Sequence, residues 1–76
     1  MNQEKIRHAA AVTDVVLEGR NAALQCLQAP LVHNGAGVLV DPNAARANLH
    51  RARDAIDMAL DAMNSIGDWP REQDYE

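Results

Sequence analysis

Few residues in this chain have types that do chemistry. His8, His33 and His50 are the three histidines, and Cys26 is the lone cysteine. None of them stands at ligand spacing from another, so a metal site would need at least three to converge from separate elements. The spacing predicts surface or end-packed histidines instead. A nucleophilic Cys26 would need a base and an oxyanion site beside it, and a chain of two helices leaves little room to build them. Cys26 reads as a small core residue. Gly35-Ala36-Gly37 lacks the lysine that follows in a phosphate-binding loop. The expectation is a chain that is not an enzyme and that takes no metal or cofactor.

Two charged stripes remain. Arg46, His50 and Arg53 fall at i, i+4 and i+7 with Arg51 nearby, while Asp54, Asp57 and Asp61 fall at i, i+3 and i+7. One reading is an ordinary solvated face, with His50–Asp54 and Arg53–Asp57 paired across one turn. The other is a partner-binding patch of Arg46, His50, Arg51 and Arg53, whose guanidinium forks suit a carboxylate or phosphate.

The element that carries these stripes is the most clearly marked in the chain. Asp41 is a good N-cap, because its carboxylate accepts from free first-turn amides. Pro42 suits the first helical position, where its missing N–H costs nothing. Gly67 follows the last apolar residue and suits a left-handed C′ position, so the helix is expected over about 42–66. Inside it Ala45, Leu49, Ala52, Ile56, Ala59, Met63 and Ile66 alternate four and three apart, a seam of about three heptads. One row of that seam is alanine, which admits a close neighbouring backbone. Ala55, Met58, Leu60 and Ala62 widen the stripe beyond what one neighbour covers.

A first helix is expected over about 3–29, capped by Asn2 and ended by Pro30. Its apolar residues, Val16 and Leu24 among them, keep a 3.6-residue period. Gly19 in its middle is either a weak spot or a close crossing point. The connector 30–41 places Leu31, Val32, Val38, Leu39 and Val40 around a glycine-containing turn. The reading adopted is that these apolar residues fold back over one end of the core; a small β-hairpin and a hydrophobic binding loop are the alternatives. Residues 68–76 form an acidic tail, expected to fray beyond Trp69 and to leave Tyr75 exposed, with a docking peptide as the alternative.

The chain therefore divides into a helical hairpin, 1–67, and the tail, 68–76. The fold class is all-α: an antiparallel hairpin of two long helices that dimerises into a four-helix bundle. Dimerisation is inferred from size. With 76 residues, no disulfide framework and a 47% hydrophobic fraction that leans on alanine and lacks phenylalanine, one chain buries little core. The net charge of −4 lies mostly in the tail, where Asp68, Glu72, Asp74 and Glu76 face only Arg71. A near-neutral body argues against general nucleic-acid binding, and no apolar run is long enough to span a bilayer. A lone cysteine and the lack of a secretory signal point to the cytoplasm.

In size and style the chain resembles the small helical accessory proteins carried by phages and plasmids, such as anti-CRISPR proteins and other host-takeover factors. The resemblance rests on no motif and transfers no residues. It implies an inhibitor, antiactivator or adaptor that covers a surface on a larger protein. The rival expectation is an oligomeric sponge for a small anionic ligand such as a cyclic nucleotide. In that case Arg46, His50, Arg51 and Arg53 would hold phosphates at a subunit interface. A purely structural subunit is a third.

Overall fold

A computed structural model describes residues 2–76; Met1, the first residue of the expected hairpin unit, lies outside them. Two helices, α1 (Gln3–Gln28) and α2 (Pro42–Asn64), pack against each other, and a single 3₁₀ turn (Glu72–Tyr75) ends the chain. The result is a rod of 59 × 18 × 13 Å.

Each helix begins at a side-chain cap. Asn2 Oδ1 accepts from the Lys5 amide at 3.3 Å, and Asp41 Oδ1 accepts from the Ala44 amide at 3.1 Å, with Pro42 following. The ends differ. Ala29 is extended (φ −58°, ψ 139°), as the ring of Pro30 requires of its predecessor. The expected stop of α2 at Gly67 is corrected. The helix ends at Asn64 with Ser65 as its C-cap: the Ser65 amide still donates to the Asp61 carbonyl (3.2 Å), the residue stays right-handed (φ −71°), and its Oγ donates to the Ala62 carbonyl at 2.6 Å. A serine that satisfies the last turn in this way removes the need for a left-handed glycine. Gly37 (φ 77°) is the one glycine in that region among the described residues.

Small side chains hold the helices together. The buried apolar residues are Ala9, Val12, Ala23, Ala45 and Ala52, and no large side chain among the described residues is fully buried. Gly19 sits where the helices come closest. A Cβ placed there would lie 2.9 Å from the Ala55 carbonyl oxygen and 3.0 Å from Ala59 Cβ. The glycine is thus a crossing point, and the weak-spot reading falls away.

The connector meets the core only at its base. Val40 donates to the Val32 carbonyl (2.9 Å), Asn34 donates to the Val38 carbonyl (2.9 Å), and His33 and Leu39 form an antiparallel bridge. Asn34 Oδ1 accepts from the amides of Ala36 and Val38 at 2.9 and 3.1 Å, closing an Asx-type turn. These bonds make a narrow finger that points its apolar side chains outward, Val32 and Val40 being about 60% exposed (60% and 61%). The expectation of a core plug is therefore corrected for the tip of the finger, which is exposed. At its base Leu31 borders Cys26, Leu27, Ala45 and Leu49, and Val32 and Val40 border Ala44 and Ala45.

The tail is corrected as well. It folds back along α1 instead of fraying. The Asn2 amide donates to the Asp74 carbonyl (3.0 Å), and Lys5 Nζ reaches Asp68 Oδ2 (3.0 Å) and Asp74 Oδ2 (3.2 Å). Trp69 is half-buried over this end of the hairpin, and Tyr75 remains exposed.

Candidate binding surface

The alanine row and the row of larger residues on α2 have different fates. Ala45 and Ala52 are buried toward α1, and Ala59 is half-buried at Gly19. Leu49, Ile56 and Met63 lie beside that row and stay exposed, while Ile66 is half-buried. The helices approach so closely over alanine and glycine that bulkier neighbours are pushed to the flank. There they join Val16 and Leu24 of α1, half-buried and exposed respectively.

The flank forms a groove lined by Val16, Arg20, Ala23, Leu24, Leu27, Ile56, Ala59, Leu60 and Met63. Its side chains are bulky and open to solvent, Leu27 at 54% and Leu60 at 51%. The groove continues at both ends. Toward the tail it passes Thr13 and Trp69; toward the connector Leu27 shares a shallower depression with Cys26, Leu31 and Leu49. A volume of about 310 Å³ is at the low end of the roughly 300–1,000 Å³ typical of small-molecule sites. Such sites also need several convergent polar groups, and Arg20 is the single polar lining residue. Apart from Arg20 the lining is apolar.

The basic residues are only partly brought together. At 100° per residue, Arg46, His50 and Arg53 share one edge of α2 beyond Leu49 and Leu60, whereas Arg51 lies across the helix near Met58. Neither expected i, i+4 pair forms. Arg53 instead lies 3.8 Å from its neighbour Asp54, with both side chains largely solvated, and Arg46 donates to Asn43 Oδ1 at 3.2 Å. An exposed pair of that kind contributes little. The three histidines are not assembled: among the described residues no three His, Cys, Asp or Glu side chains meet as metal ligands would.

Lys5 is the functional-looking residue that the sequence reading passed over. Hydrogen bonds to Asp68 and then Asp74 hold its ammonium above the ordinary lysine value. Asp74 is held below the usual carboxylate range, first by the Arg71 amide (2.8 Å) and then by Lys5. One signal was available: Lys5 is the sole lysine, in a chain with an acidic tail. Leu27 and Leu60 were legible as apolar positions, but not as lining of one groove.

Charge divides along the rod. With the Gly19–Ala59 level as the boundary, the tail-ward half (1–17 and 60–76) carries seven acids against Lys5, Arg7 and Arg71, a formal −4. The connector-ward half carries Glu18, Asp41, Asp54 and Asp57 against Arg20, Arg46, Arg51 and Arg53, and is neutral.

Compared with known proteins, the chain matches no family model, no curated protein and no solved structure. No helix among the described residues is long and apolar enough to cross a membrane.

Proposed function

We propose that this chain is a non-catalytic protein-binding module that works as a homodimer: a small inhibitor, antiactivator or adaptor that covers a surface on a larger protein. One observation carries the reading. Ile56 and Met63 of the seam, with Val16, Leu24, Leu27 and Leu60, line an open groove, while the core beneath consists of alanines and one valine. A core that thin does not hold two helices together in water unaided, and a second copy set on the groove supplies the missing burial and completes a four-helix arrangement.

The connector end of the rod suits a protein partner. The connector finger presents Leu31, Val32, Val38 and Val40 at one end of the rod, and Arg46 and Arg53 lie on the helix that starts there. An apolar tip with a flanking guanidinium edge is the composition of an interface anchor and its rim. An anti-defence role of the anti-CRISPR kind is one form of this reading. The rival sponge would need Arg46, His50, Arg51 and Arg53 to converge at a subunit interface, and Arg51 lies about 100° or more round α2 from the other three.

Two measurements test the proposal. Sedimentation should give twice the 8.3 kDa chain mass, and Leu60→Glu should abolish the dimer; a monomeric wild type would sink the homodimer. A tagged pull-down from the source cells should recover one larger protein in stoichiometric amount. Val32→Asp should lose it while remaining dimeric, and the pair Arg46→Glu/Arg53→Glu should lose it as well. Equal recovery by all variants would remove the connector end as the binding surface.

A further inference from the structure

We infer that the second copy seated on the groove runs antiparallel to the first, with the connector end of each rod beside the tail end of the other. The inference rests on the homodimer proposed above and adds its orientation. The occupant follows from fit. The rod is 59 Å long and 18 Å wide, so one face offers on the order of 1,000 Å², against the roughly 800 Å² per partner of a standard stable interface. The groove runs from Trp69 and Thr13 to Leu27 and Leu49, through the middle of the rod. A copy placed over it overlaps along most of its length.

Charge then selects the direction. A parallel pair sets two halves of formal charge −4 side by side, and many of their acids are solvated. Neighbouring rods lie about 10 Å apart, close to the Debye length of about 8 Å at physiological ionic strength. Salt therefore screens this repulsion only in part. An antiparallel pair sets each −4 half against a neutral half that carries Arg46 and Arg53 on the groove's flank. The exposed tail acids Glu72 and Glu76 then lie toward guanidinium groups instead of toward one another. Arg20, the single charge lining the groove, lies near the middle, where the copies cross, and is compatible with either direction.

The test places spin labels in full-length protein in which Cys26→Ser removes the sole native thiol. A label at Ala36→Cys marks the connector tip and one at Gln73→Cys marks the tail. Sedimentation of the same samples reports the mass. In the antiparallel dimer two Ala36→Cys labels lie apart by a distance on the order of the 59 Å rod length. Mixed Ala36→Cys and Gln73→Cys protomers give a short distance, within about 20 Å, two helix spacings. A dimer with a short distance between the two Ala36→Cys labels overturns the orientation and leaves the homodimer standing. A monomer in sedimentation overturns both.

Discussion

Gly19 and Ala52 show how much depends on the absence of atoms. Ordinarily a mid-helix glycine replaced by alanine gains about 1 kcal/mol of helix propensity. Here the added methyl meets the Ala55 carbonyl, a backbone atom that cannot rotate away. Gly19→Ala should therefore lose stability, by a net 1–2 kcal/mol or so once overpacking is set against propensity, seen as a lower urea midpoint; a raised midpoint would mean that the helices do not cross there. Ala52 is 4% exposed, and Ala52→Glu buries an unpaired carboxylate at a cost of about 3–5 kcal/mol. Loss of most helical ellipticity at 25 °C is the expected result. At this scale the sequence was informative, since alanines four and three apart announce a close approach. Whether Gly19 marked that approach was not decidable from its own helix, because the atoms it would strike belong to residues 36 and 40 positions further on.

The two helices were legible, and the segments beside them were not, for a physical reason. Helix boundaries depend on residues within a turn of the boundary: Asn2, Asp41-Pro42 and Ala29-Pro30. The connector and the tail depend on bonds made elsewhere. The finger is set by the Asn34 side chain and cross-strand amides, which composition alone does not distinguish from an apolar plug. The tail is set by Lys5, 63 and 69 residues from its partners. That clamp has a pH window. Asp74 is depressed in the folded chain, so its contribution is present above its ordinary value of 3.8 and fades as pH falls through the lower folded value. Lys5 is raised, so its contribution is complete below 10.5 and is lost as pH rises through the higher folded value. Trp69, the sole tryptophan, reports on the tail. Its emission should be constant from about pH 5 to 10, shift to the red on acidification below 3.8, and shift at pH 7 in Lys5→Gln. An acid titration that leaves the emission unchanged would show that the clamp does not hold the tail down.

Seen whole, the molecule is a rod whose inside and outside are nearly reversed in residue size: small side chains within, large ones without. In the proposed homodimer folding and pairing are one equilibrium, and the melting temperature should rise with protein concentration. A melting point constant over a hundredfold dilution would mean that a single chain suffices. The connector finger has a consequence for the order in which the rod forms. Its Val40–Val32 bond joins residues 8 apart, whereas the Asn2–Asp74 bond at the far end joins residues 72 apart. Closing the longer ring from the open chain costs about 2 kcal/mol more in entropy. The cheap closure is therefore expected first, fixing the register. The helices should then align outward from it like a zipper, each turn shortening the gap left to close. The segment bearing Trp69 should dock last and leave first.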